Sequence, residues 1–223
     1  MTKQAMIKTT FKQSVLALAL AGIGLGFAAG VAPAQAAERV LTEEEIAEAV
    51  YMREEEKVAR DVYLTLAEYW YPVEGNSAVV TSLTNIAASE QTHMDTMEEI
   101  LEKYGIPDPV DENETSGVFT NPDLQDLYDQ LVAVGQATSF DALLVGGLIE
   151  ETDIKDIQES IEVTTAKDII KVYESLMCGS RNHLRSFAGQ IAATQGSYVA
   201  QVLPQEEVDA IISSPMETCS NKK

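Results

Sequence analysis

Four stretches of this chain repeat apolar residues at helical spacing, and each apolar face is broken near mid-length by an acid or an imidazole. A helix that buries such a face must bury those polar groups too, so the pattern constrains both the fold and what sits inside it. The second stretch shows it most plainly. Leu83, Ile86, Ala87, Met94, Met97, Ile100, Leu101 and Tyr104 form one stripe, with Glu90 and His93 inside it. Residues three apart on a helix share a side, roughly 4.5 Å apart along the axis, so both can reach one cation.

The punctuation between stretches predicts the helix ends. Thr42, with Glu45 three residues on, is a capping box, and the helix it opens ends near Trp70 at Tyr71-Pro72. The second helix starts between Ser77 and Ser82 and stops at Tyr104, before Gly105 and Pro107. Asn121-Pro122 caps a short helix on Leu124, Leu127 and Leu131, closed by Gly135. The third long helix runs from Thr138 or Ser139 to about Val163. The fourth starts after Thr165, with Asp168 three residues on, and reaches Gln195 before Gly196. Pro204 opens a last short helix through Ile212. No alternating strand pattern or internal repeat interrupts this series. The expected fold is all-α: a four-helix bundle of two antiparallel hairpins joined by one long crossover, a ferritin-like layout. The crossover carries a short helix, and another short helix closes the chain.

The other long helices repeat the anomaly. The first has Ala49, Met52, Glu56, Ala59 and Tyr63 on one face, with Glu55 a rival for the inward carboxylate. The third has Leu143, Gly147, Glu150, Ile154, Ile157 and Ile161, with Asp153 a turn beyond Glu150 and Gly146 and Gly147 leaving space beside it. The fourth has Ile169, Val172, Tyr173, Leu176, Ser180, His183, Phe187 and Ile191. Each polar group has an ordinary reading: Glu54-Glu55-Glu56 as a solvated face, a histidine as a hydrogen-bonded core residue, methionines as core filler. Their common height argues otherwise. Glu56, Glu90, His93, Glu150, Asp153 and His183 all fall near the middles of their helices, so matched helices bring them to one level. Four carboxylates with two neutral imidazoles are neutralised by two divalent cations, and that donor mixture suits iron or manganese.

The N-terminus reads as a signal peptide over residues 1–36. Lys3, Lys8 and Lys12 precede an apolar run from Val15 to Val31, and Ala34-Gln35-Ala36 offers a cleavage site. A membrane anchor is the rival reading, but the run is short, holds four glycines and has no positive stop behind it. The expected mature domain, residues 37–223, is secreted or periplasmic. A net charge of −21 disfavours nucleic acid and anionic lipid as partners and favours divalent cations. Cys178 and Cys219 can close a disulfide in an oxidising compartment, although sequence alone does not give their separation.

Several stretches resemble a known superfamily. Glu56-x-x-Ala59-Arg60-x-x-Tyr63 and Ile86-Ala87-x-x-Glu90-x-x-His93 are similar to helix motifs of the rubrerythrins and ferritins. The chain from about residue 40 to 212 also resembles an uncharacterised secreted ferritin-like family. Tyr51-Met52-Arg53-Glu54-Glu55-Glu56-Lys57, Ser89-Glu90-Gln91-Thr92-His93-Met94 and Gly179-Ser180-Arg181-Asn182-His183-Leu184 carry that likeness. The resemblance implies a di-iron or di-manganese site, with Glu56, Glu90 and His93 on one metal and Glu150 and His183 on the second. Glu90 or Glu150 would bridge, and Tyr63 would support a ligand carboxylate. The chain departs from the pattern at Ser180, where the fourth helix should carry a glutamate. Either Asp153 replaces it or the site holds a single metal. The implied activity is oxidation of Fe(II), or consumption of O2 or peroxide, with metal ions and those oxidants as partners and homo-oligomerisation left open. The alternative is a non-catalytic binding or envelope-interaction module with a structural or relic metal site.

Overall fold

A computed structural model describes residues 39–219, so the leader expected over residues 1–36 lies outside the described residues. Those described form six helices and no strand. They are α1 (Glu43–Glu74), α2 (Ala78–Tyr104), α3 (Pro122–Gly135), α4 (Ser139–Val163), α5 (Lys167–Gln195) and α6 (Gln205–Ser213). None is long and apolar enough to cross a membrane.

Most ends follow the local chemistry. Thr42 and Glu45 form the reciprocal capping box, Ser77, Asn121 and Thr138 cap α2, α3 and α4, and Gly105 ends α2 in the left-handed conformation. Two ends differ from expectation. α1 continues through Pro72 to Glu74, because a proline in the last turn removes only one backbone bond and the amide of Gly75 still reaches Tyr71 O at 2.8 Å. α5 is capped by Ala166 without a side-chain bond, because Thr165 is already used. Its amide and hydroxyl both donate to Glu45 Oε1, at 2.7 and 3.0 Å.

α1 pairs with α2 and α4 pairs with α5 as hairpins, and α1–α4 and α2–α5 contacts join the two. The crossover between α2 and α4 lies along the outside of α1, and α3 packs on both α1 and α4. α1 is consequently buried on every side from Tyr51 to Tyr63. The solvated reading of Glu54-Glu55-Glu56 therefore fails, since all three are buried. On the outer side Arg53 pairs with Asp108 at 3.0 Å, and Lys57 donates to Thr115 O at 2.8 Å. Asp61 accepts from the Gly117 amide at 2.9 Å.

The glycines of α4 also serve another purpose than the one expected. A Cβ on Gly146 would lie 2.5 Å from the ring of Phe187, and one on Gly147 would collide with Tyr198. They admit those rings rather than making room for Glu150.

Cys178 and Cys219 are bonded, with Cα atoms 5.6 Å apart, and this ties the C-terminal segment to α5. Glu151, fully buried, pins the segment before α6. It accepts from Tyr198 OH at 2.6 Å and from the amides of Gln201, Val202 and Leu203 at 2.9, 2.7 and 2.8 Å. Replacing Glu151 with alanine orphans those donors, and the stability read from urea unfolding should fall by about 3 kcal/mol.

Candidate metal centre

The interior is not one continuous apolar core. One cluster packs around Tyr63, Leu83, Leu143 and Phe187, a second around Met52, Met97, Ile157 and Tyr173. Between them lie Glu56, Glu90, His93, Glu150, Asp153, Ser180 and His183, each at most 8% exposed.

Glu90 is at the centre. Its Oε2 lies 2.8 Å from His93 Nδ1, and its Oε1 lies 2.8 Å from His183 Nδ1. Each imidazole has a carboxylate of its own: Glu56 Oε2 is 3.1 Å from His93 Nδ1, and Glu150 Oε2 is 3.4 Å from His183 Nδ1. The rings stack with centroids 5.6 Å apart. Two three-residue groups result, Glu56/Glu90/His93 and Glu90/Glu150/His183, and in each the ligand atoms lie within 4.8 Å of one another. Either group can hold a metal ion, and Glu90 belongs to both.

Other residues orient these groups. Tyr63 donates to Glu150 Oε1 at 2.6 Å. Ser89 Oγ lies 2.9 Å from His183 Nε2, so with Nδ1 turned inward as a ligand atom the outer nitrogen keeps its proton and donates to Ser89. Gly179 backs His93: a Cβ there would sit 2.5 Å from His93 Nε2. Asp153 stands beside the two groups rather than in either. Its Oδ2 accepts from the Ser180 hydroxyl, and burial beside the Glu56 and Glu150 carboxylates pushes its own carboxyl well upward.

A comparison within the protein tests whether these residues suit a metal. Glu45, Glu54, Asp61 and Glu151 are buried too, and backbone amides or basic side chains satisfy them. At the centre, Glu56 Oε1, Glu90 Oε1, Asp153 Oδ1 and His183 Nδ1 are buried with no hydrogen-bond partner. Glu90 Oε1 and His183 Nδ1 approach closely without hydrogen-bond geometry, as two ligands of a common ion do. Buried carboxylates left so are costly, and a cation removes the cost.

The protonation preferences have the same cause. Burial pushes Glu56 and Glu150 up to about 7, only partly offset by the nearby imidazoles. Burial opposes charge on His183 as well, but Glu90 and Glu150 raise it to about 10. Against its own burial, Glu90 is held below the usual carboxylate range by the two imidazoles. In each case the cluster draws positive charge inward, as protons or as metal.

An opening of about 300 Å³ between α2 and α5, lined among others by Ser89, Thr92, Gly179 and Asn182, reaches the outer edges of both imidazoles. Of the residues the sequence points to, Glu56, Glu90, His93, Glu150, His183 and Tyr63 come together here, and Asp153 adjoins them. The sequence assigns Ser89 and Gly179 no role at the site, although both stand in stretches that carry the family likeness. The one available signal was Gly179, a glycine inside a helix, where it weakens the helix unless something must come close.

Fold and site define an all-helical protein whose interior carries two buried, overlapping Glu/His groups able to hold metal ions. The chain belongs to the family described as uncharacterized protein domain DUF2202, whose model matches residues 45–215. It is 46% identical over 182 residues to the uncharacterized protein MJ0754 of Methanocaldococcus jannaschii, covering 82% of this chain and 94% of that protein. The crystal structure of the hypothetical protein MJ0754 superposes with a TM-score of 0.75 at 45% identity, over 82% of this chain and all of the other.

Gly179→Ala should displace the His93 ring. Isothermal titration with Mn(II) should then show metal affinity reduced about tenfold or more, with helical content by circular dichroism retained.

Proposed function

We propose that this protein is an exported ferritin-like dimetal carboxylate protein that carries two iron or manganese ions and oxidises Fe(II) or consumes O2 or peroxide. The observation that carries this reading is Glu90, one carboxylate spanning two imidazoles, each backed by a second carboxylate. Glu56, Glu90 and His93 would hold one ion, and Glu90, Glu150 and His183 the other. Asp153, which accepts from the Ser180 hydroxyl, would serve where the resembled families carry a glutamate in place of Ser180. When bound, two such ions supply reversible one-electron steps at neighbouring positions, which suits reduction of dioxygen or peroxide.

The chain's own residues prepare that chemistry. Tyr63 fixes Glu150, and Ser89 fixes the ring of His183. The apolar clusters on either side exclude bulk water and strengthen each charge interaction at the centre. The long connection with its own helix supports the ferritin-like layout. Export is supported by the Cys178–Cys219 bond, which fits an oxidising compartment, and by the leader-like N-terminus.

Protein purified without chelator should contain about two Fe or Mn per chain by elemental analysis. Removing the metal should lower the melting temperature of the wild type, and neither Glu90→Ala nor His93→Ala should respond to added metal. A wild type that takes up no Fe(II) or Mn(II) would sink the reading. The metal-induced rise in melting temperature should also shrink as pH falls. Glu56 and Glu150 titrate near 7 in the metal-free protein, so below that value protons increasingly occupy the oxygens a metal needs.

A further inference from the structure

The members of the two metal-holding groups are not equally buried. The carboxylates of Glu56, Glu90 and Glu150 are at most 2% exposed, whereas both imidazoles are 8% exposed. The centre therefore meets the outside through its histidines, whose outer edges floor the opening of about 300 Å³ between α2 and α5. Its walls carry hydroxyls, from Ser89, Thr92 and Thr96 on α2 and Ser175 on α5. No acid, lysine or arginine is among the described lining residues, although the chain carries a net charge of −21.

The rim of the opening is held in place. Cys219 forms part of it and is bonded to Cys178 of α5. Glu217, two residues earlier, pairs with Arg181 and Arg185 at 2.5 and 2.7 Å. Asn182 donates to the Glu217 carbonyl at 3.0 Å. The C-terminal segment thus borders the opening in a fixed position.

We propose that this opening is the entry port and first binding subsite for a small uncharged molecule that both donates and accepts hydrogen bonds, of the hydrogen peroxide class. This rests on the dimetal reading above and selects among the oxidants that reading allows. The volume has room for about ten water molecules, at the small end of ligand pockets. A cation entering here sheds hydration with no carboxylate to replace it, and an anion meets no basic side chain. Hydrogen bonding narrows the choice further. Thr92 spends its proton on Ala88 O at 3.4 Å, and Thr96 on Thr92 O at 2.7 Å. Both hydroxyls therefore line the opening as acceptors. Ser89 accepts the proton of His183 Nε2 at 2.9 Å and keeps its own to donate. Hydrogen peroxide answers both, with protons to give and lone pairs to receive. Dioxygen has no proton to give.

The chain holds two histidines, and both floor the opening, so imidazole acylation reads access without any metal. In the metal-free full chain, diethyl pyrocarbonate, a small neutral reagent, should modify both. Ser175→Trp, which fills the void, should slow that reaction about tenfold or more. The same variant loaded with Fe(II) should react with hydrogen peroxide more slowly by a similar factor, while taking up Mn(II) at the wild-type rate. Should Ser175→Trp fail to fold, Thr96→Trp fills the same void from α2. Thr92→Val removes one acceptor and keeps the shape. It should raise the peroxide concentration for half-maximal rate about fivefold, with little change in the limiting rate. Unchanged acylation and peroxide rates in a folded plugged variant overturn the port. Mn(II) uptake slowed as much as the peroxide reaction would make it a cation route instead. An equal rise for O2 in Thr92→Val overturns the hydrogen-bonding account. Each of these leaves the two-ion reading standing, whereas a wild type that holds no metal overturns both.

Discussion

Glu90, 2% exposed, places one carboxylate between two imidazoles inside the bundle, and much of the architecture follows from the cost of keeping it there. Its partners Glu56 and Glu150 are at least as buried, and Tyr63, Ser89 and Gly179 each constrain one of the groups around it. An ensemble of acids this dense is stable only with positive charge inside it. That is why the apolar core divides into two clusters with a polar layer between them, instead of closing over the centre of the bundle.

Burial of acid is used in two ways here, and hydrogen bonding separates them. Glu45, Glu54 and Glu151 face the connecting segments and accept backbone amides from loops that would otherwise have to be solvated. They behave as internal caps and set the path of the crossover and of the segment before α6. The central acids accept few or no amides. The same side chain at the same exposure is therefore structural in one place and a ligand candidate in another, according to whether main-chain donors converge on it.

Much of this was legible in the sequence. Helical periodicity with caps at Thr42, Asn121 and Thr138 located the helices, and mid-helix polar residues on apolar stripes located Glu90, His93, Glu150 and His183. The misses share a cause. The stripe of one helix reports a single buried face, whereas α1 and much of α4 are covered on several sides. Glu54 and Glu55 therefore read as part of a solvated face, and the space beside Gly146 and Gly147 is assigned to the wrong neighbour. The end near Pro72 differs for a local reason and the end near Thr165 for a tertiary one. A last-turn proline costs one backbone bond, and Glu45 claims the hydroxyl that would have capped α5.

The wrapping of α1 also limits how this protein can vary. Between Tyr51 and Tyr63 the helix presents no side to solvent, so a change at any of these positions must be matched by a change in whatever touches it. Inserting a single residue there would rotate everything beyond it by about 100° and break the contacts with α2, α4 and the crossover together. The segment therefore acts like the central shaft of a lock, which fixes the alignment of the parts around it, while neutral drift and engineering have room at exposed positions of the outer helices, such as Asp95 of α2 or Lys171 and Glu174 of α5.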